Sequence, residues 1–370
     1  TIINYCKMEA FVYDSNGKIE SLNCVDYNSG KKLNISARNY VSATGPWVDK
    51  IRRKDNSINH KYLHLTKGVH IVFPFEKLPI QQSVYFDVDD GRMVFAIPRG
   101  RCTYVGTTDT NYNGNLNRVV ATKADATYLI KATNNVFPDI SLTIDDIESN
   151  WAGLRPLIHE EGKSPSELSR KDEIFISDSG LISIAGGKLT GYRKMAHRVI
   201  DKVLETLPEK RKRKLKKSKT ENIALVTPVL KSSVEVESYQ KEIENKLLEK
   251  SFSSEKTKYY AWYLTTTYGK NTDLIINKLD FFNGKDLMQN LIRAELWYVI
   301  HHEMANSLAD FFVRRTGRLY FNIESINQFL DIVIKDFKKY LDWDERKVAQ
   351  EIEKMSLLLQ DATTYYSEEF

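Results

Sequence analysis

The chain has 370 residues, of which 42% are hydrophobic and 28% are charged, with 54 basic and 49 acidic side chains. This composition is that of an ordinary globular protein and excludes a disordered or membrane-embedded chain. The formal charge of +5 is too small to indicate nucleic-acid binding by the chain as a whole. At about 150 residues per domain, the length predicts two or three domains.

Cysteine content and hydropathy exclude two further classes. The three cysteines, Cys6, Cys24 and Cys102, form no Cys-x-x-Cys pair and are odd in number, so neither a disulfide framework nor a zinc site is predicted. A reducing compartment fits this usage best. No apolar run approaches the roughly 18 residues that span a bilayer, so any membrane contact is expected to be peripheral.

The first part of the chain is predicted to be a small β-meander. Residues 6–45 contain short alternating apolar and polar runs, broken by the pairs Asn16-Gly17 and Ser29-Gly30. Such pairs favour tight hairpin turns. The strand that begins at Tyr40 runs into Ala43-Thr44-Gly45, a turn of small residues where backbone can approach a ligand closely.

A sheet and one helix are predicted next. Residues 63–107 contain several strand-like runs separated by Asp89-Asp90-Gly91 and Arg99-Gly100, which indicates a mixed or antiparallel sheet. Thr122 and Asp125 have the spacing of a capping box and predict a helix that ends before Pro138. This helix is expected to lie against the sheet.

A strand, two glycines and a helix follow one another after residue 172. Strands are predicted over 173–177 and 181–185, and the second leads directly into Gly186-Gly187 and a helix that starts near Thr190. This order is typical of a dinucleotide-binding fold. The first turn of such a helix presents unpaired N–H groups and partial positive charge, which stabilise an anion such as a reduced flavin.

A basic segment separates this part from the carboxy-terminal part. Eight of the ten residues in 210–219 are Lys or Arg. The segment is interpreted as a solvated linker or exposed helix face, as a docking site for anionic lipids, or as a nucleic-acid contact. Residues 223–370 show apolar spacing of three to four and predict a helical domain. Within it, His301-His302-Glu303 lacks the spacing of a metal motif, so no metal site is predicted.

Several blocks, in order, resemble the FAD-dependent glycerol-3-phosphate dehydrogenases. The resemblance covers essentially the whole chain and is weakest over residues 205–290. The matching blocks are SATGPWVDKIR (42–52), TKGVHIVFP (66–74), DGRMVFAIPR (90–99), VGTTDTNYNG (105–114), SNWAGLRPLI (149–158), ELSRKDEIF (167–175), SGLISIAGGKLTGYRKMA (179–196) and ADFFVRRTGRLYF (309–321).

The resemblance implies a mixed α+β and α/β fold. A partial Rossmann-like FAD-binding domain and an antiparallel-sheet substrate domain would be followed by an all-α carboxy-terminal domain. The expected divisions are a partial FAD-binding domain with the meander and the Ala-Thr-Gly turn (1–50), a substrate-binding sheet domain (51–165), a return to the FAD-binding domain (166–205), a basic linker (206–222) and the helical domain (223–370).

The resemblance also implies a reaction. Hydride would pass from C2 of sn-glycerol 3-phosphate to flavin N5, the 2-hydroxyl would lose a proton, and dihydroxyacetone phosphate would leave. Arg155, Arg170 and Lys188 match the family's phosphate-binding residues, and Arg155 and Lys188 are also candidate catalytic residues. A guanidinium offers a bidentate fork for the phosphate and an ammonium a point charge. Lys188 could instead stabilise the reduced flavin.

The cofactor-binding residues implied by the resemblance lie in two loops. They are expected to act mostly through backbone contacts. They are Thr44, Gly45, Gly186, Gly187, Lys188, Leu189 and Thr190. Three other residues in matching blocks, Asp109, Trp151 and His70, could equally be structural. No general base is assigned, and His70 is a candidate for that role.

The matching chain departs from the family in one respect. The Gly-x-Gly-x-x-Gly fingerprint that binds the FAD pyrophosphate does not occur in the 370 residues. From this and the absence of an initiator Met, we expect a truncated chain that holds FAD poorly by itself and is inactive alone. On this expectation the chain could also serve as a non-catalytic membrane-docking fragment.

The electron acceptor and partners are also expectations of the resemblance. The oxygen-using branch of the family carries an insertion after the Gly-Leu-Arg-Pro block, whereas only 14 residues separate Arg155 from Arg170 here. This favours a quinone as acceptor and a cytoplasmic protein held peripherally on the inner face of the cell membrane. A glycerol-3-phosphate oxidase using oxygen and an amine- or amino-acid-oxidising flavoprotein are the alternative enzymes, and a homodimer is compatible with the sequence.

Overall fold

The computed structural model describes residues 1–159, 171–212, 214–282, 284 and 286–367. Its strands form three sheets, two of them purely antiparallel. The strands are β1 (Cys6–Tyr13), β2 (Ile19–Asp26), β3 (Lys32–Ser36), β4 (Tyr40–Ser42), β5 (Tyr62–Pro74), β6 (Val84–Asp87), β7 (Met93–Arg99), β8 (Cys102–Gly106), β9 (Thr110–Asn111), β10 (Ser149–His159), β11 (Glu173–Ile176) and β12 (Leu181–Ala185).

One helix packs against the second sheet, another follows the last strand of the third sheet, and the later helices form the carboxy-terminal part. They are α1 (Val48–Lys54), α2 (Lys123–Val136), α3 (Tyr192–Glu205), α4 (Glu209–Lys212), α5 (Ser233–Glu249), α6 (Ser254–Tyr268), α7 (Thr272–Leu279), α8 (Leu287–Glu303), α9 (Arg318–Phe321), α10 (Glu324–Leu341) and α11 (Glu345–Thr363), with a π-helical segment at Asp310–Arg315.

The predicted meander is confirmed. The strands β1, β2 and β3 pair in that order, each antiparallel to the next. Gly17 and Gly30 stand in the two predicted turns with φ of +73° and +70°. Residues other than glycine rarely adopt this backbone conformation, which explains why these two turns carry glycine.

The second sheet is antiparallel in the order β10-β5-β8-β7-β6, and β9 pairs with β5. One face of this sheet is covered by α2, whose Leu129 and Ala132 pack against Val69 and Ile71 of β5. The predicted capping box is confirmed, because Thr122 and Asp125 each accept a hydrogen bond from the other's backbone N–H. The other face of β5 and β10 carries Gly68, His70 and Arg155, and the Arg155 side chain there is 26% exposed.

The third sheet has the order β11-β12-β4, and β4 runs parallel to β12. β12 is buried along its whole length and continues through Gly186 and Gly187 into α3. A strand that ends in glycines ahead of a helix is the element predicted from the sequence. The carboxy-terminal ends of β4 and β12 therefore lie side by side, and both are followed by loops.

The helical part has its own core, formed by residues from Tyr239 to Ala362. A buried ion pair lies within it, where Arg318 contacts Glu295 at 2.7 Å. None of the described helices is long and apolar enough to cross a bilayer. In the basic segment 210–219, the described residues other than Lys212 are exposed, and Lys212 pairs with Glu209 at 2.9 Å. The mixed fold with a helical carboxy-terminal domain is confirmed.

Candidate active site

A cavity of about 800 Å³ opens where the second and third sheets meet. Its walls come from the end of β4, the middle of β10, and the segment that joins β12 to α3. Most of its described lining is apolar, and the basic residues among the described lining residues are Arg155 and Lys188. The lining residues are Val41, Ala43, Gly45, Leu154, Arg155, Pro156, Leu157, Ile184, Gly186, Gly187, Lys188, Leu189, Tyr192, Met195, Ala196, Val199 and Ile200.

The loop after β12 requires its two glycines. Gly186 and Gly187 have φ of +75° and +78°. A Cβ atom on Gly186 would lie 2.6 Å from the backbone oxygen of Lys171, and one on Gly187 would lie 2.7 Å from the sulfur of Met195. A side chain at Gly186 would thus collide with backbone, whereas one at Gly187 would have to displace the end of the Met195 side chain. Both glycines line the cavity through their backbone, where a planar ligand can approach closely.

The turn after β4 lines the same cavity beside the glycine loop, because β4 and β12 are neighbouring parallel strands. Gly45 has a φ of +53°, and a Cβ atom added there would meet no atom within 4 Å. The preceding residue, Thr44, shares a hydrogen bond of 3.1 Å with the Ser42 hydroxyl. Gly45 lines the cavity, whereas Thr44 borders it without being part of the lining.

Arg155 lies on the face of the second sheet opposite α2. Its Nη1 donates to the Thr108 carbonyl and to Asp109 Oδ1, both at 3.1 Å, and its Nη2 donates to Thr107 Oγ1 at 3.0 Å. The lack of a side chain at Gly68 makes this possible, because a Cβ atom there would lie 2.5 Å from Nη2. Arg155 therefore forms an ion pair with Asp109, and this pair fixes the guanidinium at the cavity wall.

Lys188 stands between the glycine loop and the 3₁₀ turn Leu189–Gly191 that leads into α3. In the part of the chain that the structure describes, Lys188 has no ion-pair partner. Leu189 is 89% exposed at the mouth of the cavity. Thr190 is exposed and lies outside the lining, and its expected cofactor contact, like those of the rest of the loop, stays a prediction. Arg170 lies outside the described residues.

His70 lies on the same face of the sheet as Arg155. Its strand position pairs with Trp151, four residues before Arg155 on β10, and its ring stacks on the Trp151 ring with 4.7 Å between centroids. Burial, aided by the positive charge of Arg155, lowers the pKa of His70 to about 4. The imidazole is therefore neutral at physiological pH and can accept a proton. Nδ1 is enclosed without a hydrogen-bond partner in the described structure.

The lowered pKa of His70 predicts a pH-dependent stability. Between pH 6.5 and pH 4 the unfolded imidazole takes up a proton and the folded one does not, so the free energy of unfolding falls as the pH falls. From pH 7 to pH 5 this loss is about 2 kcal/mol. We expect denaturant unfolding of a His70→Asn variant to lack this part of the loss. Equal losses in both proteins would contradict the assignment.

Several cavity residues were not predicted from the sequence. Tyr192, Met195, Ala196, Val199 and Ile200 line it from α3. Their spacing of three and four along α3 was a usable signal, because it places them on one helical face. Gly68, Gly106 and Gly153 also shape the ligand-facing side of the second sheet. That role depends on neighbouring strands and has no local sequence signal.

Two family models match the chain. Residues 1–193 match the model described as FAD dependent oxidoreductase, and residues 218–348 match the C-terminal domain of alpha-glycerophosphate oxidase. The first match alone covers more than half of the chain. The boundary between the two matches falls within the region where the β-rich part gives way to the helical part.

Relatives agree with these matches. The chain is 44% identical over 363 residues to the aerobic glycerol-3-phosphate dehydrogenase of Bacillus subtilis, covering 97% of the chain and 64% of that protein. It is 40% identical to the Staphylococcus haemolyticus enzyme of the same name, covering 98% and 65%. The chain thus spans slightly less than two thirds of the length of these relatives.

A solved structure has the same fold. The glycerol-3-phosphate dehydrogenase from Bacillus halodurans complexed with FAD superposes with a TM-score of 0.85 at 38% identity. The match covers 98% of this chain and 70% of that one. Both the β-rich part and the helical part are therefore shared with a flavin-bound relative.

Proposed function

Because the chain belongs to the family of FAD-dependent glycerol-3-phosphate dehydrogenases, we propose that it oxidises sn-glycerol 3-phosphate to dihydroxyacetone phosphate with FAD as cofactor. The observation that carries this proposal is one cavity in which a glycine loop adjoins two cationic side chains, Arg155 and Lys188. The glycine loop would hold the planar cofactor and the cations would hold the phosphate of the substrate. The two must adjoin each other because the hydride passes directly from substrate to cofactor.

The residues around the cavity fit a flavin. Gly186 and Gly187 leave backbone exposed at the cavity, and Gly45 leaves open space at the neighbouring turn after β4. The apolar side chains of Ile184 and Val199 offer a surface for a flat aromatic ring system. When bound, FAD supplies an acceptor for the hydride that leaves C2 of the substrate. These residues would hold the ring, and the polar contacts would come mainly from backbone.

The phosphate of the substrate is assigned to Arg155 and Lys188. The guanidinium of Arg155 is held in place by Asp109 and by the two threonines that precede Asp109. Little side-chain entropy is therefore lost when Arg155 binds an anion. Lys188 adds a second positive charge to the same cavity. Arg170 is proposed as a third phosphate ligand on the resemblance alone. The two negative charges of a phosphate monoester suit such a set of cations.

The proton of the 2-hydroxyl is assigned to His70. Its imidazole is neutral at physiological pH and lies on the Arg155 face of the sheet. Nδ1 is enclosed, so Nε2 is the nitrogen assigned to the substrate hydroxyl; His70 borders the Arg155 side of the sheet and is not one of the described residues that line the cavity. As hydride leaves C2, Nε2 accepts the hydroxyl proton, and the carbinol becomes the ketone. Burial keeps the imidazole unprotonated before the reaction, which is the form that a base requires. A pKa of about 4 also makes it a weak base, so the proton transfer has to be coupled to the departure of the hydride.

A membrane quinone is proposed as the final electron acceptor. In support, the described residues of the basic segment 210–219 other than Lys212 are exposed, including Leu215, and the exposed apolar residues Ile223 and Leu225 follow shortly after it. Basic residues near an anionic bilayer contribute about 1 kcal/mol each to its binding, and exposed apolar residues add to it. We therefore propose a cytoplasmic protein that binds peripherally to the inner face of the cell membrane.

A substrate and acceptor panel tests the proposed function. The purified, flavin-loaded protein is given sn-glycerol 3-phosphate, glycerol or glycine, with either a soluble quinone analogue or oxygen as acceptor. We expect rapid quinone reduction with sn-glycerol 3-phosphate and much slower turnover with the other two substrates. Faster turnover with glycine would identify an amine-oxidising enzyme, and faster turnover with oxygen would identify an oxidase; either result would replace part of the proposal.

A further inference from the structure

An aromatic column connects the helical domain to the face of the second sheet that carries Arg155. The column consists of Phe321 and Tyr320 of α9, Trp151 of β10, and His70 of β5. The Trp151 ring lies 5.2 Å from the Tyr320 ring and 5.5 Å from the Phe321 ring, measured between centroids. On its other side it stacks on His70 at 4.7 Å, with 9° between the planes. The side chains thus form a continuous path from one domain to the other.

The His70 ring is confined by Trp151 and by a gap in the neighbouring strand. Gly106 pairs with His70, and a Cβ atom on Gly106 would lie 2.2 Å from Cδ2 of the imidazole. The ring therefore occupies the space that a side chain at Gly106 would fill. Phe95 touches the ring at a tilt, with 5.6 Å between centroids. Trp151 provides the nearly parallel surface against which the imidazole rests.

The helical end of the column is fixed by contacts across the domain boundary. The Ser149 hydroxyl donates to the Tyr320 carbonyl at 2.6 Å, and Arg101 Nη1 donates to the Phe321 carbonyl at 3.2 Å. The guanidinium of Arg99 lies over the Phe321 ring at 4.4 Å. These contacts hold α9 against the sheet, because they bind both its backbone and its side chains.

The same short helix is anchored in the core of the helical domain. Arg318, its first residue, pairs with Glu295 at 2.7 Å, and both side chains are buried. The hydroxyls of Tyr263 and Tyr268 donate to the other oxygen of Glu295 at 2.6 and 2.8 Å. Both oxygens of Glu295 are thus paired, and Nε is the one nitrogen of the Arg318 guanidinium that is buried without a hydrogen-bond partner in the described structure. A buried ion pair with its carboxylate fully paired favours one position for the element that carries it. Tyr320 and Phe321, which α9 carries, are therefore held in fixed positions at the helical end of the column.

We propose that the aromatic column makes the helical domain a positioning element for the oxidation site. Trp151, held by Tyr320 and Phe321, keeps the His70 imidazole in place on the Arg155 face, so that Nε2 meets the substrate hydroxyl. The inference rests on the proposed function, because it assumes that His70 handles the hydroxyl proton. Trp151 is a positioning residue, since its ring contacts His70 and other aromatic rings.

A double-mutant cycle tests the inference. In flavin-loaded protein, Trp151→Leu is expected to lower kcat with sn-glycerol 3-phosphate about tenfold, with KM changed by less than about twofold because the phosphate contacts remain. In the His70→Asn background the same substitution is expected to have little further effect, since the residue it positions is gone. Trp151→Phe keeps an aromatic surface and should restore part of the rate.

A matched control removes a different tryptophan ring, that of Trp262, which also lies where the helical domain meets the second sheet. Trp262 packs at the Gly100 turn, where a Cβ atom on Gly100 would lie 2.7 Å from its Cζ3. Trp262→Leu is expected to leave kcat within about twofold of the parent, because its ring is not part of the column. If Trp151→Leu does not fold, Phe321→Leu enters the same cycle.

The outcomes separate the inference from the proposed function. A parent protein that does not oxidise sn-glycerol 3-phosphate would overturn the proposed function. A parent that does, combined with column substitutions that have the same effect with and without His70, would overturn the inference alone. A control substitution as damaging as Trp151→Leu would also overturn it, because the loss would then reflect the domain boundary in general.

Discussion

An Arg155→Met variant of the flavin-loaded protein is expected to lose about 100-fold in kcat/KM for sn-glycerol 3-phosphate, equivalent to about 3 kcal/mol of transition-state stabilisation. The side chain is held at the cavity wall by Asp109 and by two threonines, so it is already oriented for an anion. Methionine keeps much of the length of the side chain and removes the charge and the hydrogen-bond donors.

Two comparisons make this prediction specific. Arg53→Met removes an exposed arginine from α1 and should leave the kinetics unchanged. Arg155→Lys restores the charge without the planar fork, so an intermediate loss is expected. Flavin content is measured for each variant, because Arg155 lines the same cavity as the glycine loop. A kcat/KM within about twofold of the parent, at equal flavin content, would remove Arg155 from the phosphate site.

A Gly186→Ala variant is expected to lose at least about tenfold in FAD affinity, because the new methyl group requires a displacement of the loop worth about 1–2 kcal/mol or more. The added Cβ atom would lie 2.6 Å from the Lys171 backbone oxygen, a distance at which the backbone must shift. The displaced segment is the glycine loop, whose backbone lines the cavity, so the shift would disturb the surface that holds the flavin ring. Flavin titration followed by fluorescence or absorbance measures the effect.

Gly180→Ala is the matched control for this substitution. Gly180 lies in the turn before β12 and has a φ of +91°, but a Cβ atom there would meet nothing within 4 Å. Both substitutions thus introduce the strain of a positive φ, and only Gly186→Ala adds a collision next to the cavity. If the two variants bind FAD equally well, the glycine loop is not part of the flavin site.

Local features of the fold could be predicted from short sequence patterns. Gly17 and Gly30 mark hairpin turns because their backbone angles exclude most other residues. Thr122 and Asp125 mark the start of α2 because each satisfies a backbone donor of the other. Such signals depend on a few neighbouring residues, so they can be recognised in the chain before any tertiary contact is known.

The geometry of the candidate site could be predicted only in part. Family resemblance identified Arg155, Lys188 and the glycine loop, and these residues do line one cavity. The stacking of His70 on Trp151 depends on strand register, which pairs residues 81 positions apart (151 minus 70). The contacts of Tyr320 and Phe321 with Trp151 depend on how two domains pack. Neither contact leaves a local pattern in the sequence.

Anaerobic reduction of the bound flavin tests the central claim most directly. One equivalent of sn-glycerol 3-phosphate is mixed with the flavin-loaded protein in the absence of any other acceptor, and oxidised-flavin absorbance and product are followed together. We predict that the absorbance disappears while an equal amount of dihydroxyacetone phosphate forms, and that glycerol and glycine leave the flavin oxidised. Flavin that stays oxidised in the presence of sn-glycerol 3-phosphate would contradict the proposed function.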